Sequence, residues 1–149
     1  MNMKREVVLL IADDDAGHVR LIEKNLRRAA LGNPIERFQD GQELLDFLFG
    51  RSERKCEKET PYLLLLDIRM PKVDGVEVLR QLKENPELRK IPVIMLTTTD
   101  DPREVERCHA LGCSNYIVKP VDYEHFATAI SKLGSFITLV EVPELTATP

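Results

Sequence analysis

The sequence predicts an α/β domain in which helices cover both faces of a parallel sheet. Two observations carry that expectation. Five short apolar runs recur in order, at residues 7–12, 35–38, 62–66, 91–96 and 115–118. Four of them are nearly continuous in apolar residues rather than alternating, as strands buried on both faces are. Between the runs lie segments whose apolar residues repeat at helical spacing, and each is opened by an Asp that can serve as a cap. Strands and helices alternating at this length imply right-handed crossovers and a parallel sheet.

Each helix has a readable start and stop. The first carries Val19, Ile22, Leu26 and Ala29/Ala30 on one face, follows Asp15, and ends at Gly32-Asn33-Pro34. Asp40 caps a second helix through Leu44, Leu45 and Leu48, and Asp74 a third through Val76, Leu79 and Leu82 that Asn85-Pro86 stops. Asp101-Pro102 opens a fourth through Val105 and Cys108 to Gly112. Asp122 caps a fifth with Phe126, Ala129, Ile130, Leu133 and Ile137 facing inward. The run 35–38 is the weakest strand and belongs at an edge. A flavodoxin-like, doubly wound five-stranded sheet of order 2-1-3-4-5 with five helices is the expected arrangement, although apolar pattern alone does not fix the strand order. The charged stretch 51–59 reads as a solvated loop or helix extension.

With 149 residues the chain has room for one ordinary domain. A hydrophobic content of 43% is enough for a core, and a net charge of -4 offers no basic footprint for nucleic acid. Neither a signal peptide nor an apolar run of membrane-spanning length is present, so a cytoplasmic location is expected. Cys56, Cys108 and Cys113 are odd in number and lack metal-binding spacing, which favours ordinary thiols over a redox role for Cys108 and Cys113. His18, His109 and His125 are scattered over the expected helices and read as surface residues. His18, in the first turn of the first helix, is the one that could approach the acidic site, and no role is assigned to it.

Function should lie beyond the carboxyl ends of the strands, near the point where strand order reverses. The acids fall there. The first strand runs into Asp13-Asp14-Asp15 and the third, through four leucines, into Asp67. Strands one and three are neighbours in the expected sheet, so these carboxylates can converge, and converging acids call for a cation with a preference for hard oxygen ligands, Mg²⁺ or Mn²⁺. Asp15, directly before a helix, reads as its cap. Asp67 is separated from the next helix by Ile68-Arg69-Met70-Pro71, so capping explains it poorly, and an Asp is the nucleophile needed to make an acyl phosphate.

Four blocks now resemble, in order, the motifs of response-regulator receiver domains from two-component systems. They are Ile11-Ala12-Asp13-Asp14-Asp15, Leu66-Asp67-Ile68-Arg69-Met70-Pro71 with Asp74-Gly75, Pro92-Val93-Ile94-Met95-Leu96-Thr97, and Tyr116-Ile117-Val118-Lys119-Pro120, together covering about residues 5–137. The resemblance implies that Asp67 is the phosphoacceptor. It makes Asp13, Asp14, Asp67 and the backbone carbonyl of Arg69 the ligands of Mg²⁺, with Mn²⁺ an alternative. Lys119 would place its ammonium against the phosphate, Thr97 would reach a phosphate oxygen, and Tyr116 would change rotamer with it. Lys119-Pro120 can be cis by the same resemblance. Arg69 and Thr99 match the variable positions that influence how long the acyl phosphate survives.

The expected domain is residues 1–137, a receiver without an output domain, and 138–149 is a tail that either packs back or joins a second subunit in a homodimer. The charged stretch before strand three and the apolar, Pro-containing tail resemble stand-alone receivers associated with phytochrome-type histidine kinases. A sensor histidine kinase is therefore the implied partner, with the downstream target open and neither nucleic acid nor membrane as direct partner. Two other classes fit less well. A hydrolase of similar topology would carry a general acid two residues after the nucleophile, where Arg69 stands, and a pseudo-receiver would have lost acidic or lysine residues that this chain keeps.

Overall fold

Helices begin in this chain where a short acidic side chain takes up the free amide groups of the first turn. In the computed structural model, which describes residues 6–54 and 56–146, the caps are Asp15 for α1 (Ala16–Arg28), Asp40 for α2 (Gly41–Leu48), Asp74 for α3 (Gly75–Glu84), Asp101 for α4 (Pro102–Leu111) and Asp122 for α5 (Tyr123–Ile137). Each accepts a hydrogen bond from an amide two or three residues on. Gly112 ends α4 in the left-handed region, at φ 104, as a glycine stop does.

The strands β1 (Val8–Ala12), β2 (Ile35–Phe38), β3 (Tyr62–Leu66), β4 (Val93–Thr97) and β5 (Asn115–Val118) form one parallel sheet of order β2-β1-β3-β4-β5, the order expected. Strand β4 starts two residues later than its apolar run, because a 3-10 turn at Leu88–Lys90 leads into Ile91-Pro92. Pro92 has no N–H to donate but accepts from Leu64 across the sheet. Strand β2 lies at one edge as expected. The other edge corrects the reading of the sequence: β5, although apolar in sequence, is only half covered, with Asn115 and Val118 exposed. An edge strand has a neighbour on one side only, and α4, whose sole buried residue is Cys108, covers little of it.

Alternating side chains of the central strands feed two cores. Leu9, Ile11, Leu63, Leu65, Ile94 and Leu96 pack with α1 and α5, and Leu10, Ala12, Leu64, Leu66, Val93 and Met95 pack with α2, α3 and Cys108 of α4. Helices α1 and α5 approach closely at Gly134, where a Cβ would stand 2.9 Å from Cβ of Ala29.

The segment 51–59 is less free than its charge suggests. The Arg54 guanidinium lies 4.4 Å from the centre of the Phe38 ring, pairs with Glu36 and Glu43, and donates to the carbonyl of Arg37. It thereby occupies part of the open edge of β2; Lys55 lies outside the described residues. Beyond α5 the tail turns back on its own domain. Val140 and Val142 pack against the α1/α5 core, Leu145 is 1% exposed in the opposite core, its N–H donates to Lys58 O (3.0 Å), and Glu144 bridges Pro61.

Two glycines let the loop between β3 and α3 be packed from both sides. A Cβ on Gly75 would stand 2.0 Å from Asp67 O, and one on Gly41 would stand 2.0 Å from Val73 O. Alanine at either position forces backbone to move, a change expected to cost about 1–3 kcal/mol. Gly32, with nothing within 4 Å of its Cβ position, is the control. In urea denaturation Gly41→Ala and Gly75→Ala should lower the midpoint clearly, and Gly32→Ala should leave stability within about 0.5 kcal/mol of the native chain.

Candidate phosphoryl-transfer site

Three strands deliver charged residues one position past their ends, and the sheet's own ladder holds each of them. Asp13 N–H donates to Phe38 O (3.0 Å), Asp67 N–H to Ala12 O (3.0 Å) and Lys119 N–H to Thr97 O (2.7 Å). The backbone is thus fixed where the side chains must meet. Lys119 Nζ lies 2.5 Å from Asp13 Oδ2 and 3.4 Å from Asp67 Oδ2, and all three residues are buried. Asp13 Oδ1 accepts from Asp15 N–H and Asp67 Oδ1 from Ile68 N–H. Burial pushes the Asp13 carboxyl above its ordinary range, against the downward pull of the Lys119 ammonium and the Asp15 amide, and the Asp67 charge adds to the upward push.

Asp14 is exposed, yet one carboxylate oxygen from each of Asp13, Asp14 and Asp67 lies within 4.8 Å of the others. Three carboxylates beside one ammonium leave two negative charges uncompensated (three minus one), provided all are ionised. That balance and an all-oxygen donor set suit a hard divalent cation such as Mg²⁺ or Mn²⁺ better than a thiophilic one.

The β3–α3 loop turns tightly. Val73 N–H donates to Pro71 O (2.8 Å), with Lys72 at φ 69, a conformation few residues other than glycine adopt. Arg69 is exposed and its Nε reaches Thr99 Oγ1 at 3.4 Å. Thr99 also donates its N–H to Thr97 Oγ1 (3.4 Å) and accepts from the Tyr116 hydroxyl through its carbonyl (2.6 Å), so it joins Arg69, Thr97 and Tyr116. Thr97 is fully buried, and burial pushes the half-buried Tyr116 phenol up to about 12. Arg69 and Thr99 line, with Asp14, a groove of about 610 Å³ running toward α4.

All eight residues picked from the sequence therefore gather at the carboxyl end of the sheet. Two expectations change. Lys119-Pro120 is trans, since no described peptide bond is cis and the trans form of an X-Pro bond is intrinsically favoured. His18 is not a bystander: it is half-buried, and its Nδ1 lies 3.0 Å from Lys119 Nζ. The signal for it was its place one turn into the helix after the acidic triplet, which says nothing about the direction of its ring. Asp15 caps α1 as read. Cys108 and Cys113 are buried free thiols whose acidity burial suppresses, Cys108 to about 11, which disfavours a reactive thiolate.

Comparison with known proteins agrees with this geometry. The family model for the response regulator receiver domain matches residues 9–131. A response regulator receiver domain from Rhodospirillum rubrum has 48% sequence identity and a TM-score of 0.86, covering 92% of this chain and 97% of its own. Response regulator Rcp1 of Synechocystis sp. is 30% identical over 129 residues, which is 87% of each chain. The structure of Rcp1 in its Mn²⁺-bound form has a TM-score of 0.83 over 93% of this chain and 99% of that one. The phosphorylated cyanobacterial phytochrome response regulator RcpA is 26% identical, with a TM-score of 0.83 over 93% of this chain and 99% of that one. With the match spanning both core layers and every strand that bears a site residue, the chain belongs to the response regulator receiver domain family.

Proposed function

We propose that this chain is a two-component signalling protein switched by Mg²⁺-dependent transfer of a phosphoryl group from a histidine kinase onto Asp67. The observation that carries the proposal is the Lys119 ammonium set between Asp13 and Asp67, with Asp14 within reach of the same point. One oxygen of the Asp67 carboxylate attacks phosphorus in line with the leaving nitrogen of a kinase phosphohistidine. The P–O bond forms as the P–N bond breaks, and the electron pair leaves with the imidazole nitrogen. Asp13, Asp14, Asp67 and the carbonyl of Arg69 would hold Mg²⁺ or Mn²⁺, which would supply positive charge to offset that of the phosphoryl oxygens. Lys119 turns its charge onto the incoming phosphoryl group, which replaces part of the negative charge it now faces.

Thr97 reads the product. Its hydroxyl leaves the amide of Thr99 for a phosphoryl oxygen, and Thr99 transmits the shift to the Tyr116 hydroxyl that it holds. Arg69, resting on Thr99 beside the groove, covers the acyl phosphate and slows the approach of water. The chain catalyses only its own phosphorylation and slow dephosphorylation, and passes its state to another protein.

RcpA, a phosphorylated phytochrome response regulator, supports a phytochrome-like kinase as the phosphoryl donor. The functional unit is residues 1–137 with the tail 138–149, of which 138–146 turn back onto the domain, working in the cytoplasm; no helix among the described residues is long and apolar enough to cross a membrane. A homodimer belongs to the same proposal. Phe136 and Leu139, exposed at the end of α5, are apolar surface left after the tail has packed. Light scattering on the phosphorylated and unphosphorylated chain decides it, a monomer mass in both states ruling the dimer out.

Incubation with acetyl phosphate and Mg²⁺ should add the mass of one phosphoryl group to the native chain, and chelation by EDTA should prevent it. An undiminished adduct on Asp67→Asn would sink the assignment. Arg69→Asn should shorten the life of the phosphorylated chain severalfold without reducing the extent of labelling, measured as loss of the adduct after removal of phosphodonor. Equal decay rates would remove Arg69 from the mechanism.

A further inference from the structure

The Lys119 ammonium has three protons to donate and nothing with which to accept. Within hydrogen-bond reach it has three partners: Asp13 Oδ2 at 2.5 Å, His18 Nδ1 at 3.0 Å and Asp67 Oδ2 at 3.4 Å. Facing a donor that cannot accept, Nδ1 of His18 must be the acceptor, so the ring proton belongs on Nε2. The surroundings agree: Nε2 lies 3.6 Å from Asp15 Oδ2, one turn back along the chain, where a negative charge favours a proton. The ring is held in this orientation from the other side by Phe126 of α5, with centroids 5.8 Å apart and planes inclined by 30°.

We infer that His18 is a positioning residue for phosphoryl transfer, its Nδ1 holding the buried Lys119 ammonium away from full pairing with Asp67. The inference rests on Asp67 being the phosphoacceptor. With His18 in place, two of the three ammonium protons go to Asp13 and His18, and the contact with Asp67 is the longest of the three. Take the imidazole away and a buried ammonium loses an acceptor. Its spare proton then turns to Asp67, masking the carboxylate that must attack, and the charge is no longer aimed at the place where phosphoryl oxygens arrive. Asp15 acts one step further out: as well as capping α1, it favours the tautomer that leaves Nδ1 free to accept.

A role in packing alone would depend on the ring resting on Phe126 and not on Nδ1. Two variants separate the possibilities. His18→Phe keeps an aromatic ring for Phe126 and removes the acceptor; His18→Asn loses the ring and keeps an oxygen able to take the place of Nδ1. The first readout is the rate constant for labelling by acetyl phosphate with Mg²⁺, followed by intact mass. His18→Phe should be slower by about tenfold and His18→Asn within about twofold of the native chain, since one lost charge-assisted contact in the transition state is at stake. A His18→Phe rate equal to native, or a His18→Asn rate as low as that of His18→Phe, overturns the inference while leaving the proposed function standing.

The second readout needs no phosphorylation. Nitrogen NMR of the metal-free native chain at pH 8 should show the His18 proton on Nε2, with Nδ1 unprotonated and hydrogen-bonded. A proton on Nδ1 overturns the inference. If the native chain accepts no phosphoryl group at all, the proposed function fails and the positioning role fails with it, a result distinct from equal rates among labelled variants.

Discussion

The Lys119 ammonium between Asp13 and Asp67 is the contact around which the other features of the molecule are arranged. Carboxylates at this degree of burial repel one another and lose their hydration, and the ammonium offsets only part of that cost. The site stays unsettled: burial above all, with a smaller contribution from the Asp67 charge, pushes the Asp13 carboxyl upward. A domain selected only for stability would have little use for such a cluster. The same imbalance makes it receptive to a divalent cation and to a phosphoryl group that brings the ammonium new oxygens to face.

Holding such a cluster together demands that the backbone not yield. The central strands β1 and β3 supply the rigid part: they are buried on both faces, and the ladder runs one residue beyond each of them to Asp13 and Asp67. Gly41 and Gly75 bring α2 and α3 against the loop after Asp67 so closely that no Cβ fits. Strand β5 and helix α4 are the looser part. Strand β5 is half covered and α4 buries Cys108 alone, yet Thr97, Thr99 and Tyr116 all lie on or beside this side of the sheet. Few buried contacts mean a low cost of local rearrangement, so Thr97, Thr99 and Tyr116, the residues assigned to read the phosphoryl group under the proposed function, lie where the fold resists rearrangement least.

What could be read from the sequence follows from how local each signal is. The five Asp caps were visible because a cap bonds to amides two or three residues away, and the central strands because four successive leucines leave no polar face. Position past a strand end placed Asp13, Asp67 and Lys119 together once the strand order was supplied by resemblance. The half exposure of β5 could not be read, since burial of an edge depends on which helices lie over it. The contact of His18 with Lys119 spans 101 positions, that of Arg54 with Glu36 spans 18, and that of Leu145 O with Lys90 spans 55. Pattern assigned such side chains to a helix face or a loop and could go no further. The fate of the tail was equally hidden: its apolar residues fit either a second subunit or this domain's own core, and it is the end of the strand layer, near Lys58 and Pro61, that receives Leu145.

The individual chemistry of this receiver then lies outside the fixed trio. Asp13, Asp67 and Lys119 are buried and bound to one another, so a substitution at any of them strands a charge in the interior. Arg69 and His18 differ in that respect. Arg69 is exposed and touches the cluster only by way of Thr99, and the His18 side chain is 34% exposed while its Nδ1 reaches Lys119. Changing either should disturb stability far less than changing the residues they touch. Such positions can alter how fast a phosphoryl group arrives or how long it stays while the fold and the reaction remain the same. On the proposed function, Arg69 would act on decay from the loop after Asp67 and His18 on arrival from the first helix, so the two could be adjusted from different elements of one site.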